Sequence, residues 1–456
     1  MKKVLALGLV LCLVLMALTG CQQAAPVAAP ADTAAATDAA ATDAATTTDA
    51  ATAAPVSGEL NVAIAADIAP DSVTEWTKMF NADYPDVKLN VALEDASSYE
   101  VTIEPLIAAG ELPDVLGIGC TDWFATLADK GYFLDVSGTP GWNAQLDVLK
   151  QMYTSSTGVH FAVANGVETE LLYYNIDQFK QAGIQSVPTN WQEFLDCCQK
   201  LKDAGFQPLA VAGASPNNLG HSFISFGIAH QIVQSGYDPN WNIKARDGEY
   251  DFSTPEWQSV LDKAVVLRDA GYFQRGYESA DLYECMRAVA AGEVAMTIQG
   301  SYQTGNILID GGANIGITTV PWNDPGKDQV GIVIAGDGYA MGKNSSNNVD
   351  LATKFFNYVT FEKAYVYQNM SGTIPPWIDA AKDMPNAVVN DKLKAAWDAS
   401  NALTTKSLEP QQAFTAIVYE QVKQFVQAVI LGNAEPSQIG DYLNPAQQEY
   451  LATLKK

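Results

Sequence analysis

Residues 102–119 read TIEPLIAAGELPDVLGIG. The apolar stretch through Ala109 reads as a helix that Gly110 stops, because a residue without a Cβ is favoured where a helix ends. Val115 to Ile118 is then a short continuous apolar run, the pattern of a buried strand. The same order lies upstream. Leu60-Asn61-Val62-Ala63-Ile64 alternates apolar and polar side chains as a strand does. Residues 72–83 (SVTEWTKMFNAD) place Val73, Trp76, Met79 and Phe80 on one helical face. Tyr84-Pro85 breaks that helix, and Val87-Lys88-Leu89-Asn90-Val91 alternates again. Strand and helix in turn, with short connections, predict α/β architecture on a parallel sheet.

The pattern continues toward the C-terminus. Leu171 to Tyr174, Leu209 to Val211, Ala295 to Ile298 and Ile315 to Val320 read as strands. Residues 190–204 read as a helix. Thr189 or Asn190 can cap it, Gln192 and Glu193 stand three residues on, and Gly205 stops it. Ser253 or Thr254 caps a helix that opens on Pro255 and runs to about Ala270. Residues 281–291 form a further helix, and residues 348–361 and 411–431 form two strongly amphipathic ones. No short-period repeat is visible.

The N-terminus has another character. MKKVLALGLVLCLVLMALTGC opens on Lys2 and Lys3, runs uncharged and apolar from Val4 to Ala17, and reaches Cys21 through small residues. This is secretory signal-peptide architecture over residues 1–20. A retained transmembrane helix is the alternative, and Val4 to Gly20 is at the lower length limit for one. From Gln22 to about Ser57 the composition collapses to Ala, Thr, Pro and Asp, with no aromatic residue. Such a segment cannot bury enough apolar area to order itself, and Asp32, Asp38, Asp43 and Asp49 repel one another and extend it. It reads as a disordered tether.

The 456 residues carry 26 Lys plus Arg against 52 Asp plus Glu, a formal net charge of −26. That balance excludes the basic face a nucleic-acid binder needs to neutralise phosphates. It also excludes docking on anionic lipid through a polybasic surface. Of recognisable catalytic patterns, GxSxG, HExxH and GxxxxGK[ST] are all absent. Gly311-Gly312 and Gly336-Asp337-Gly338 are isolated glycine turns. A carboxylate pair for glycoside hydrolysis stays open among so many acids. Tyr173-Tyr174 could offer phenolates to ferric ion, but neighbours on a strand face opposite ways, so at most one would reach a given site. The sequence thus predicts no catalytic centre, no metal and no cofactor. Cys12 leaves with the signal peptide. Cys120, Cys197, Cys198 and Cys285 read as small apolar side chains. Cys197 and Cys198 point in different directions on a helix and do not pair with each other. One long-range disulfide stays open in an exported chain.

Specific stretches carry a resemblance. Leu18-Thr19-Gly20-Cys21 resembles a bacterial lipoprotein lipobox, in which cleavage precedes the cysteine and its thiol takes a diacylglycerol; Cys21 would then be the acylated, palmitate-bearing N-terminus. AAGELPDVLGIGCTDWF (108–124) resembles a Gly-acid-x-Pro-Asp segment with its following strand. ETELLYYNIDQFKQAGIQSVPTNWQEFLDCCQKLKDAG (168–205) resembles a Tyr-Asn-x-Asp stretch, an Ala-Gly turn and a Pro-Thr-x-Trp-x-Glu helix start. AVAAGEVAMTIQGSYQTGNI (288–307) resembles a Gly-x-x-Ala-Met strand ending in Gly-x-aromatic. AGDGYAMGKNSSNNVDLATKFFNYVT (335–360) and SGTIPPW (371–377) resemble a late glycine turn, helix and Ile-Pro segment. From Gly58 to the C-terminus the chain is similar to extracellular solute-binding lipoproteins of ABC importers, in the carbohydrate-binding family 1 branch that is maltose-binding-protein-like.

The resemblance implies a periplasmic-binding-protein-like type II fold: two α/β lobes joined by crossing strands, with ligand in the cleft between them. Lobe one would comprise 58–165 plus 319–370, and lobe two 170–315 plus 373–456, after the lipidated Cys21 and the tether to residue 57. Crossings would fall near Asn165 to Glu168, Thr318 to Pro321 and Ser371 to Ile374. Glu168, Asp122 and Asp67 would bind sugar hydroxyls, and Tyr302 would stack on a sugar face. Ser215 and Asn217 stand where the family pattern has an acid and an aromatic, which points away from maltose itself. Phe414 lies near a late aromatic position. Trp123, Trp322 and Trp377 adjoin strand ends or crossings and are further platforms, and Asp337 adjoins a glycine turn at a lobe edge. Trp76, Trp191, Trp257 and Trp397 read as core, and His221 either donates to a hydroxyl or is structural. Carboxylates and amides suit the hydroxyl rim of a sugar, and rings suit its C–H faces. The expected protein is a non-enzymatic sugar receptor. It would be monomeric, anchored outside the bacterial cell membrane, and would deliver a mono- or oligosaccharide to the importer's permease subunits. The alternatives are a receptor for a polyol, peptide or metal, and a secreted glycan-degrading enzyme.

Overall fold

A computed structural model describes residues 56–65, 70–94, 99–343, 348–371, 373–377 and 379–453. The signal peptide, Cys21, the tether up to residue 55 and Asp67 lie outside the described residues. The described strands are β1 (Gly58–Ala65), β2 (Val87–Glu94), β3 (Val115–Ile118), β4 (Val163–Ala164), β5 (Val167–Glu168), β6 (Glu170–Asn175), β7 (Gln207–Ala210), β8 (Val294–Gly300), β9 (Ile315–Thr319), β10 (Gly331–Ala335), β11 (Gly338–Met341) and β12 (Lys406–Leu408).

They form three sheets. The first has the order β2-β1-β3-β11-β4, with β2, β1 and β3 parallel and β11 antiparallel to both its neighbours. The second has the order β7-β8-β6-β9, with β7 parallel to β8 and β6 antiparallel to both β8 and β9. The small third sheet, β12-β10-β5, lies on the passage between them. Helices between the strands cover the two larger sheets, giving the two-lobed α/β architecture that the strand–helix alternation implies.

Side-chain periodicity decides the packing. On the helix Pro70–Asp83, Val73, Trp76 and Phe80 are buried and Met79 packs against them. Trp76 meets Tyr339 of β11 edge-on at 5.7 Å, and Phe80 meets Phe355 at 5.0 Å, so this face binds the first sheet to the helix Val349–Asn357. Along β6 the alternation of faces is visible in the core itself. Leu171 and Tyr173 join the cluster that fills the first lobe, and Leu172 joins the cluster on the other face with Leu209, Met296 and Ile298. Tyr173 donates to or accepts from Thr304 Oγ1 at 2.6 Å, and Tyr174 packs on Phe179, so both tyrosines are structural.

Local chemistry sets the helix ends. The helix Trp191–Asp203 starts at Asn190, whose side chain accepts from Glu193 N, while Glu193 accepts from Thr189 N and Oγ1 at 2.8 Å. The helix that opens on Pro255 breaks after Gln258 and resumes at Asp262, two short helices in place of one continuous run to Ala270. Cys120, Cys197, Cys198 and Cys285 are buried free thiols, which closes the disulfide alternative for these four. Among the described residues no helix is long and apolar enough to cross a membrane.

The chain first leaves the first sheet through β4, Asn165 and β5, and enters the second as β6. Its return runs through β10 and Gly336 to β11, beyond the Thr318 to Pro321 expected from sequence. Thr319 is still paired to Leu171 in the second sheet, and Trp322 is enclosed by Trp191, Phe223 and Phe226. An aromatic core thus holds residues 319–330 with lobe two. Ile374 bridges Val167, so a third segment touches the same passage.

Candidate functional site

The passage between the lobes is built on close backbone contact. Gly336 N donates to Gly166 O at 3.0 Å, and a Cβ on Gly336 would lie 2.8 Å from that same oxygen. A Cβ on Gly338 would lie 2.6 Å from Val163 O. The turn Gly336-Asp337-Gly338 therefore needs both glycines, and it carries the half-buried Asp337 to the crossing. Asn165 N donates to Asp337 O at 2.6 Å, and Tyr153 donates its hydroxyl to Gly336 O at 2.7 Å. Thr169 and Ser301 exchange bonds, Ser301 N to Thr169 O at 2.8 Å and Thr169 N to Ser301 Oγ at 3.1 Å. That exchange fixes Tyr302, the next residue, beside the crossing.

Acids converge on this frame from three directions. Glu168 ends β5, Glu170 begins β6, and Glu409 follows β12; they are 5%, 3% and 0% exposed. His221, in a π-helical turn Gly220–Ile224, places Nδ1 3.0 Å from Glu409 Oε1. That distance makes a charged pair, and the Glu409 oxygens have no other partner. Both oxygens of Glu170 lack a hydrogen-bond partner. The rings of Tyr302 and Tyr419 stand 6.5 Å from the His221 ring, both edge-on. Asn217 closes the group, with Nδ2 3.2 Å from His221 Nε2 and Oδ1 accepting from Tyr419 at 3.4 Å.

The electrostatics follow from burial. Removal from water, then repulsion from Asp337 and Glu170, raises the Glu168 carboxyl to about 8, against a smaller opposing pull from His221. Burial raises Glu170 to about 7. Burial opposes the His221 imidazolium, but Glu409 and Glu170 outweigh it and lift His221 to about 9. The site is thus an enclosed group of acceptors, one imidazolium and two phenol rings. Nothing in it pairs a nucleophile with a base. Among the described residues no group of three or more His, Cys, Asp or Glu side chains could hold a metal ion.

The structure brings Glu168, Tyr302, Asp337 and Asn217 into this neighbourhood. Asp122 and Trp123 lie elsewhere, at the start of the helix Asp122–Asp129. Burial raises the half-buried Asp122, and Arg246 of lobe two opposes that rise. Arg246 also helps line a cavity of about 430 Å³ with Trp142, Thr154, Ser155 and His160 of lobe one. Trp123 is half-buried and edge-on to Phe124 at 4.8 Å. Ser215 accepts from Leu282 N at 3.1 Å and ties down the helix Leu282–Ala290.

Three expected platforms are core residues. Trp322 is 1% exposed within the aromatic cluster already described. Trp377 stacks on Phe361 at 4.9 Å and is buried beside Ala364 and Met384. Phe414 packs against Trp241 at 5.3 Å, Phe252 and Trp257. Their faces are covered by protein, so no ring is left for a ligand. Sequence reasoning missed Glu170, Glu409 and Tyr419. Glu170 was accessible to it, since residues two apart on an extended strand share a face and Glu168 was already a candidate. Glu409, a lone acid before Pro410, gave no such signal.

The sequence pattern of bacterial extracellular solute-binding proteins matches residues 30–366. The multiple sugar-binding protein of Streptococcus mutans is 24% identical over 335 residues, covering 70% of this chain and 75% of that protein. The sn-glycerol-3-phosphate-binding periplasmic protein of Escherichia coli is 26% identical over 326 residues, covering 66% and 70%. A chitin oligosaccharide binding protein superposes with a TM-score of 0.73 at 19% identity, over 86% of this chain and 98% of that one. A solute-binding protein in complex with raffinose superposes at 0.70 and 19%, over 86% and 100%. These similarities agree with the two-lobed fold and its buried crossing: the chain belongs to the bacterial extracellular solute-binding protein family.

Proposed function

We propose that this protein is the solute-binding lipoprotein of an ABC sugar importer. It captures a mono- or oligosaccharide between its lobes and delivers it to the permease subunits. The observation that carries this reading is the convergence of Glu168, Asp337, Tyr302 and Asn217 on the strands that join the two lobes. Acceptors there suit sugar hydroxyls and the Tyr302 ring suits a sugar face. Ligand touching both lobes would favour a closed form over an open one. The relatives named for sugars support the same class.

In this reading Cys21 carries the lipid, residues 22–57 are the tether, and the monomeric receptor works outside the cell membrane without catalysis. Acyl chains partition by about 0.8 kcal/mol per buried methylene, so several give durable anchoring. The similarity to a glycerol-3-phosphate receptor favours a second reading, a phosphorylated polyol. The three buried carboxyl groups oppose it, because among the described residues only His221 is a cation within ion-pair distance of any of them.

A thermal-shift screen of the whole chain against mono- and oligosaccharides tests the proposal. Ligand at 100 times its Kd stabilises by about 2.7 kcal/mol. A shift with a sugar, and recovery of that sugar unchanged, is the expected result. A shift with only peptides, metals or glycerol phosphate would overturn the sugar assignment, and release of reducing sugar over time would overturn the receptor assignment.

A further inference from the structure

The crossing gathers more carboxyl groups than the hydroxyls of a neutral sugar need. Glu168, Glu170 and Glu409 are each at least 95% buried, on three different segments, with Asp337 adjoining. Among the described residues His221 is the only cationic side chain within ion-pair distance of any of the three. Glu170 stands apart from an ordinary acidic cluster. It is 97% buried, and neither of its oxygens has a hydrogen-bond donor. A buried carboxylate left so is costly unless something pairs with it. A sugar hydroxyl would supply a donor and no charge. Among the described residues no group of three or more His, Cys, Asp or Glu side chains could hold a metal ion, and an organic cation with N–H donors would supply both the charge and the hydrogen bonds that Glu170 lacks. The Tyr302 ring beside it offers a face that attracts one, while the Tyr419 ring already has Lys423 Nζ 5.8 Å from its centroid.

We propose that the ligand is a sugar bearing a protonated amine, with Glu170 and Glu409 receiving the ammonium and Glu168 the neighbouring hydroxyls. This rests on the sugar-receptor reading above and narrows its ligand to amino sugars and amine-bearing oligosaccharides. It excludes uronic acids and sugar phosphates, whose negative charge would lie against Glu170 and Glu409. The raised Glu168 and Glu170 are consistent with the arrangement, since an arriving ammonium displaces their protons.

The test is a calorimetric titration of the whole chain at about pH 7, where a simple amine is still largely protonated. The probes are glucosamine oligomers, size-matched N-acetylglucosamine oligomers, neutral glucose oligomers and a glucuronic acid oligomer. The free-amine series is expected to bind at least about tenfold more tightly than its N-acetylated match. Glu170→Gln should remove most of that ratio, because the isosteric amide keeps the shape and lacks the charge. Equal or tighter binding of the N-acetylated or neutral oligomers would overturn the inference and leave the sugar-receptor reading standing. So would a ratio unchanged by Glu170→Gln in a variant whose melting temperature is normal. Failure of every sugar would overturn both.

Discussion

The aromatic nest of lobe two and the crossing between the lobes are two buried surfaces that behave oppositely. Around Phe414, the rings of Trp241, Phe252 and Trp257 pack at centroid distances of 5.3 to 6.1 Å. That nest is aromatic and covered on every face, and its role is cohesion. At the crossing, Glu168, Glu170, Glu409 and His221 are also buried, and both oxygens of Glu170 lack a hydrogen-bond donor. Burial alone therefore does not separate scaffold from site. What separates them is the kind of group that is buried: Trp257 Nε1 in the nest also lacks a partner, but a neutral indole N–H costs less to leave so than the ionisable carboxyl groups of the crossing.

The largest effect expected from this contrast is in the nest. Phe414→Ala should lower stability by about 3–5 kcal/mol, as a large-to-small change in a filled aromatic core does. Denaturant titration measures it, and below its melting temperature the variant should keep wild-type ligand affinity. An affinity loss in the folded variant would move Phe414 from the scaffold to the site.

The next effect is of opposite sign. Glu170 is raised from 4.5 to about 7 by burial. A raised acid contributes its stabilisation below its unfolded value and loses it as pH rises toward its folded value. The groups around it are Glu168, Glu409, His221, Tyr302 and Tyr173, and Glu168 and His221 are themselves raised. Glu170→Gln should match the wild type at about pH 4.5 and gain on it up to about pH 7, by on the order of 1–2 kcal/mol, then hold that lead. Melting curves across this range check it. A variant less stable than wild type at every pH would make Glu170 an ordinary structural acid.

The smallest effect is at the edge of the site. Asn217 is exposed and holds His221 and Tyr419 through bonds of 3.2 and 3.4 Å. Asn217→Ala should cost less than about 1 kcal/mol of stability and weaken sugar binding only a few-fold by loosening His221. Loss of all binding would place Asn217 itself on the ligand.

Much of the fold was legible because periodicity reports it directly. The face of Val73, Trp76 and Phe80, the strand at Val115 to Ile118 and the cap at Asn190 all follow from local pattern. The return crossing was not legible. Strand β9 and strand β10 are separated by a stretch whose anchor, Trp322, finds its partners at Trp191, Phe223 and Phe226, far away in sequence. The same limit applies to the platforms. An aromatic residue near a strand end lies in a cleft or in a core according to what covers it, and for Trp322, Trp377 and Phe414 the cover comes from distant segments. Glu168 stands at a position that its motif marks, and Glu170, which the sequence reading missed, lies two residues on. Glu409 reaches the site only because β12 pairs with β10, a pairing that no local signal announces.

The central claim is that the crossing between the lobes is where sugar binds. Calorimetric titration of a sugar found by the thermal-shift screen, against wild type, Glu168→Gln and Tyr302→Ala, tests it most directly. Each variant should melt as a folded protein and bind at least about tenfold more weakly, a loss of ~1.4 kcal/mol or more. Wild-type affinity in both variants would contradict the account and move the site away from the crossing.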